Sequence, residues 1–263
     1  MKLLFVGDVI GKPGRRALQT ILPRLVDHHR ADYVVVNVEN AAGGFGVTPE
    51  ILAEIADLPI DCYTSGNHIW DKREGVDLLD REKNLLRPAN YPDGNPGHGL
   101  YVGETAGGVK VAVINLEGRV FMDNLDSPFL VADRLLKQLD PKVKVIFVDF
   151  HAEATSEKQA IAFYLDGRVS AVVGTHTHVP TGDERVLPGG TALLTDVGMT
   201  GPYESVIGMR ADRVLKRFLL QTRVSFEVAK RDVRLAAAVI DIDEDTGKAR
   251  GIERFLIKDE SQG

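Results

Sequence analysis

Short apolar runs alternate with longer amphipathic stretches along the first two thirds of the chain. Residues 3–6, 33–38, 61–64, 111–115, 143–148 and 169–173 read as strands. These runs are rich in Val and Ile and mostly lack polar alternation, so both faces are expected to be buried. Between several of them, residues 13–29, 48–57, 128–139 and 155–165 have helical spacing. Pro13 suits a helix start. Thr48-Pro49-Glu50 and Thr155-Ser156-Glu157 each place a polar cap and an early acid at a helix N-terminus.

The pattern changes in the second half. Residues 185–187 and 191–195 flank Pro188-Gly189-Gly190 and predict a hairpin. Residues 204–221 have helical spacing. Residues 233–243 and 249–257 flank Glu244-Asp245-Thr246-Gly247 and predict a second hairpin. These last strands either complete the core or form a subunit contact, as in a homo-oligomer. The mixture of buried parallel-type strands and hairpins predicts an α/β fold: a central two-sheet β-sandwich flanked by helices, in a single domain over residues 1–263.

Composition narrows the classes. With 44% apolar residues in 263 the chain can bury a sizeable core without staples. One cysteine, Cys62, excludes a disulfide framework and a Cys-based zinc site. A net charge of −6 argues against a stable nucleic-acid complex. The longest apolar run, residues 235–240, falls far short of a membrane span of about 20. The apolar start before Gly7-Asp8 is too short for a signal-peptide core. A cytoplasmic protein with no membrane association is expected.

The candidate chemistry sits just past the strand ends. Gly7-Asp8, Asn37-Val38-Glu39-Asn40, Ser65-Gly66-Asn67-His68, Asp149-Phe150-His151 and Gly174-Thr175-His176-Thr177-His178 close five separate runs. Each group alone has a plain reading. An Asp past a strand is an ordinary turn former, and a single His is more often a satisfied side chain than a ligand. Their coincidence at the carboxyl ends of strands, where α/β sheets bind ligands, points to one metal centre. Extended backbone would aim His176 and His178 to the same side. Asp8, Glu39, Asn67, His151, His176 and His178 are six candidate ligands, more than the three a single catalytic zinc needs, which suggests two ions with a shared carboxylate. Imidazole, carboxylate and carboxamide without thiolate suit Mn, Fe, Zn, Co or Ni.

These motifs resemble those of the calcineurin-like metallophosphoesterases: Asp8, Glu39 with Asn40, Gly66-Asn67-His68, His151 and Gly174-Thr175-His176-Thr177-His178 follow that family's order. Ile10 stands where the family's first motif has a histidine, Glu39-Asn40 replaces an aspartate-led motif, and Thr175 is an insertion. These departures, with the segments 36–44 and 196–201, resemble the YmdB-type branch over nearly the whole chain. The resemblance implies one metal on Asp8, Glu39, Asn40 and His178 and a second on Glu39, Asn67, His151 and His176, with Fe or Mn favoured and Zn acceptable. Asn40 would replace the ligand lost at Ile10, or act as an outer amide contacting phosphate. The resemblance further implies a phosphodiesterase acting on small cyclic nucleotides, 2′,3′-cyclic AMP favoured, by attack of a hydroxide bridging the metals, with His68 as the general acid. A phosphomonoesterase or protein phosphatase with the same site, or a nucleotide-sensing module, are the alternatives. Ile69 occupies the position where the family has an acid, so Asp71 either orients His68 or caps a helix beginning near Lys72. Phe45 either stacks on a base or anchors its loop. His98 either reaches the pocket rim or faces solvent, and His28-His29 lie on a solvated helix end.

Overall fold

The computed structural model describes residues 1–262. In chain order the elements are β1 (Lys2–Val6), α1 (Gly11–His29), β2 (Tyr33–Asn37), α2 (Pro49–Glu54), β3 (Cys62–Thr64), α3 (Arg73–Val76), β4 (Leu100–Glu104), β5 (Lys110–Glu117) and α4 (Pro128–Gln138). They continue with β6 (Val145–His151), α5 (Thr155–Tyr164), β7 (Ala171–Thr175), β8 (Arg185–Val186), β9 (Ala192–Leu194), β10 (Gly201–Pro202), α6 (Ala211–Leu220), β11 (Val233–Ile242) and β12 (Ala249–Lys258).

The strands form two six-stranded sheets. In the first, β1, β2 and β3 are parallel, and β11 pairs antiparallel with β1 along one edge and with β12 along the other. The second runs β4-β5-β6-β7-β9-β8, with β5, β6, β7 and β9 parallel. Alternate residues Leu3, Phe5, Tyr33 and Val35 of the first sheet meet Val113, Phe147 and Val173 of the second, and the Phe5 and Phe147 rings lie 4.9 Å apart. The residues between them point outward: Leu4, Val6 and Val36 pack on Leu18 and Leu22 of α1, while Ile114 and Val148 pack on Val131 of α4 and Ile161 of α5. The layers are therefore helix, sheet, sheet, helix. Burial on both faces is why these strands read as unbroken apolar runs. The two-sheet sandwich is as the sequence predicts, and β11 and β12 complete it.

Several local expectations need correction. β7 begins two residues later than the apolar run at 169–173, so Gly174 and Thr175 belong to the strand. Helix α6 starts only at Ala211, because residues 204–210 form a turn in which Val206 pairs with Met209 and Gly208 sits at φ 96°. The half-exposed strand β4 lacks an apolar run and is not predicted. Thr48 caps α2 as expected, accepting from the Ile51 amide at 3.4 Å. Thr155 does not cap α5: the helix begins at Thr155 itself, and Glu157 accepts from the Arg119 and Val120 amides.

Candidate metal centre

The parallel strands deliver polar residues to one edge of the sandwich. Asp8 follows β1, Glu39 and Asn40 follow β2, Asn67 and His68 open a 3-10 turn after β3, His151 ends β6, and His176 and His178 follow β7. Asp8, Glu39, Asn40, His151 and His178 are buried, and His176 is half-buried. Two groups of potential ligand atoms result, Glu39 with His151 and His176, and Asp8 with Glu39 and His178. In each group the atoms lie within 4.8 Å of one another, and Glu39 belongs to both. Asn67 Oδ1 lies 3.0 Å from His151 Nε2. The Asn40 amide nitrogen donates to the Gly44 carbonyl at 3.0 Å, which leaves its Oδ1 buried and without a hydrogen bond among the described residues.

Hydrogen bonds on the outer side assign the tautomers of His151 and His178, and a carboxylate contact that of His176. Thr175 Oγ1 donates to Asp149 Oδ1 at 2.7 Å, so it must accept from His151 Nδ1–H at 3.0 Å. That leaves a lone pair on His151 Nε2. His178 Nδ1–H donates to the Ile207 carbonyl at 2.9 Å, which frees Nε2. His176 Nε2–H faces Glu153 Oε2 at 3.2 Å, which frees Nδ1, 3.0 Å from His151 Nε2. Two imidazole lone pairs and the Asn67 carbonyl oxygen thus converge with no proton to share. Such a set is satisfied by a cation, and outer partners of this kind orient ligating imidazoles.

The electrostatics agree. Burial, and then the charge of Asp196, pushes Asp8 up to about 7, while burial and the Asp8 charge raise Glu39 well above the usual carboxylate range. Burial drives His151 far down, takes His176 down to about 3 and lowers His178, so all three rings are neutral. Asp8 Oδ1 and Glu39 Oε1 are buried without hydrogen bonds among the described residues. Gly66 supplies the room: a Cβ there would overlap the His151 ring and Glu39 Oε2. The residues present therefore fit a metal.

His176 and His178 reach the centre by a different route from the one expected. The backbone is not extended: both lie in the left-handed region, at φ 96° and 65°, and each belongs to a different ligand group. The His68 ring stands at the mouth, 29% exposed, with Nδ1 2.8 Å from Asp71 Oδ2. Asp71 therefore orients His68, and α3 begins beyond it with Lys72 at the cap position. Phe45 packs edge-on against His68 with ring centres 5.0 Å apart, which makes it an anchor for that ring. His98 is tied to the Lys83 carbonyl at 2.7 Å, and His28 and His29 end α1, where His29 packs on Phe255.

Sequence reasoning misses the layer beneath. Asp149, fully buried, accepts from Asn37 Nδ2 at 2.9 Å and from the Thr64 and Thr175 hydroxyls. Asn115 exchanges two 3.0 Å hydrogen bonds with the Ser65 main chain and so fixes the turn leading to Gly66. The available signal is a polar residue inside an apolar strand, since a buried polar group needs a partner.

A two-sheet sandwich with such residues past its parallel strand ends is the architecture of the calcineurin-like metallophosphoesterases, which are phosphoester hydrolases. Residues 4–255 match the family model described as YmdB-like protein, and the chain belongs to that family. It is 50% identical over 261 residues to the 2′,3′-cyclic-nucleotide 2′-phosphodiesterase of Bacillus subtilis (strain 168), covering 99% of this chain and 98% of that one. A crystal structure of a Thermus thermophilus protein superposes with a TM-score of 0.93 at 42% identity, covering 98% of this chain and 100% of the other. The crystal structure of a Mycoplasma pneumoniae phosphatase gives 0.91 at 35% identity, covering 99% and 95%. Among the described residues no helix is long and apolar enough to cross a membrane.

Proposed function

We propose that this protein is a phosphodiesterase that hydrolyses small cyclic nucleotides, with 2′,3′-cyclic AMP as the favoured substrate. The observation that carries the reading is the convergence of imidazole lone pairs on two ligand groups that share Glu39. Asp8, Glu39, Asn40 and His178 would hold one metal ion, and Glu39, Asn67, His151 and His176 the other. Fe or Mn suits this donor set best, and Zn is also compatible. Bound metal supplies Lewis acidity toward phosphate oxygens and lowers the pKa of water.

The protein's own groups do the rest. Water adds to phosphorus, the bond to one ribose oxygen breaks, and that oxygen takes a proton. His68 would give it: Asp71 holds Nδ1, which leaves Nε2 as the ring nitrogen to face substrate. Asp149, acting through Thr175, keeps the His151 ring in its tautomer. The charge balance favours a diester. Lys158, whose positive charge reaches His151 and His176, is already paired with Asp196 at 2.7 Å. A diester monoanion needs less positive charge than a monoester dianion. The B. subtilis relative is named for the same substrate class.

The test is steady-state hydrolysis by Mn-reconstituted protein, with 2′,3′-cyclic AMP and a simple phosphomonoester assayed side by side. Higher kcat/KM on the cyclic diester is expected. Preference for the monoester would overturn the substrate assignment.

A further inference from the structure

The segment Asp196-Val197-Gly198-Met199-Thr200 supplies no ligand and no proton donor, yet it touches the site from two sides. Asp196 is buried and uses both carboxylate oxygens. Its Oδ1 accepts from the Gly198 amide at 2.8 Å. Its Oδ2 accepts from Lys158 Nζ at 2.7 Å, from Thr177 Oγ1 at 2.7 Å and from the Thr177 amide at 3.2 Å. Lys158 reaches it from α5, and its stem crosses the open face of Gly174, where a Cβ would meet both Lys158 Cδ and the Thr195 carbonyl. The same segment grips the other ligand-bearing ends. Val197 donates to the Gly174 carbonyl at 3.0 Å, and Thr200 donates to the Asp8 carbonyl at 2.8 Å.

Thr177 is the residue between His176 and His178, the two left-handed positions. A non-glycine residue in that region is held there by its surroundings. Here Asp8 accepts from the His176 amide at 3.3 Å, the Ile207 carbonyl holds the His178 ring, and the Asp196 carboxylate is bonded to both the amide and the hydroxyl of Thr177. The carboxylate is in turn fixed by an ammonium group on a separate element, with the two side chains 3% and 2% exposed. Burying an ion pair is no better for stability than burying apolar groups of the same size, so its presence is better explained by what it orients.

We propose that Lys158 and Asp196 are positioning residues that lock the His176-Thr177-His178 turn in the strained conformation that aims the two imidazoles into different halves of one metal centre. This rests on the metal reading given under Proposed function. The pair touches neither substrate nor metal, and its effect passes through Thr177.

The test is calorimetric titration of the full chain with Mn(II), supported by electron paramagnetic resonance of the loaded protein, for wild type, Asp196→Asn and Thr177→Val. Thermal melts establish which variants are folded. We expect folded Asp196→Asn to bind Mn at least about tenfold more weakly than wild type, the size typical of losing an outer partner of a ligand. Thr177→Val, which keeps the amide bond to Asp196 but removes the hydroxyl's bonds to Asp196 and to the Val179 main chain, should weaken binding in the same direction by a smaller factor. Both should lose the signature of a spin-coupled Mn pair before they lose the fold. A purely structural role would lower the melting temperature and leave Mn affinity and the coupled signal of the folded protein unchanged, and that result overturns the proposal. If Asp196→Asn does not fold, Thr177→Val decides alone. Wild-type protein that binds no Mn would overturn the metal reading and this proposal with it.

Discussion

His68 sits at the site without belonging to either ligand group. Its amide donates to Glu39 Oε2 at 3.2 Å, its Nδ1 meets Asp71, and Phe45 flanks its ring. Replacing the ring should therefore separate chemistry from metal binding. His68→Ala is expected to lower kcat on 2′,3′-cyclic AMP by about 10²–10⁴-fold, the usual worth of a positioned proton donor, with Mn content and melting temperature as in wild type. Steady-state kinetics with metal analysis checks this, and loss of bound Mn would instead make His68 a ligand. A second residue-scale prediction concerns Glu117, which ends β5 and is fully buried. Burial, opposed in part by the Tyr91 hydroxyl, pushes its carboxyl up to about 8. Between the ordinary glutamate pKa and that value, the folded protein keeps a proton that the unfolded chain has released. Stability must then fall as pH rises through this window, by about 1.4 kcal/mol per unit. Glu117→Gln mimics the protonated form. It should be more stable than wild type by about 4 kcal/mol at pH 8, with the difference gone near pH 4.5, as measured by urea unfolding of chelated protein.

At the scale of elements, the site consists of strand ends and the turns that leave them. The turn after β3 passes so close to β6 that only hydrogen fits at Gly66 Cα. Gly66→Ala should weaken Mn binding more than tenfold, because its methyl would displace the His151 ring and the shared Glu39 carboxylate, on the order of losing a ligand's support. Gly251→Ala on β12, where a Cβ meets open space, is the control and should bind as wild type. Titration calorimetry on both variants reads the difference. The same elements show what the sequence can disclose. β1, β2, β5 and β6 are legible because helix and sheet cover their two faces and leave an unbroken apolar run. β4 is not, since its residues are mostly half-exposed and include Gly103. The polar residues past the strands stand out for the same reason, by contrast with the runs before them. The turn at His176 and His178 reads as extended in the sequence because its true conformation is set by Asp196, 18 residues from His178 and brought near only by the fold. Asp149 escapes a reading of the sequence because a carboxylate beneath a site has no pattern of its own. Its partners Asn37, Thr64 and Thr175 come from three other strands.

At the scale of the whole molecule, the centre ties the two sheets together. Asp8, Glu39 and Asn67 come from the ends of the first sheet, and His151, His176 and His178 from the ends of the second. Apart from metal, the edge contains buried carboxylates held above their usual pKa and lone pairs that face one another. Without a cation these groups oppose the approach of the sheets, and with one they favour it. Metal binding should therefore appear as global stability, because a ligand bound only by the folded state stabilises it by RT ln(1 + [L]/Kd). At a free Mn concentration of a thousand times Kd this is about 4 kcal/mol, or about 8 °C in melting temperature for a chain of this size. Chelation should reverse that shift. His68→Ala should retain the full response to Mn and chelator. Glu39→Gln, which removes the shared carboxylate, should melt at one temperature in both conditions, and above that of chelated wild type, because a neutral amide relieves the repulsion between Glu39 and Asp8. Hydrogen exchange locates the effect. Chelation should speed exchange at residues 65–68 and 176–178, where the two sheets meet, and leave the β11–β12 hairpin protected. Uniform acceleration would mean that the metals act on the fold elsewhere than at this edge.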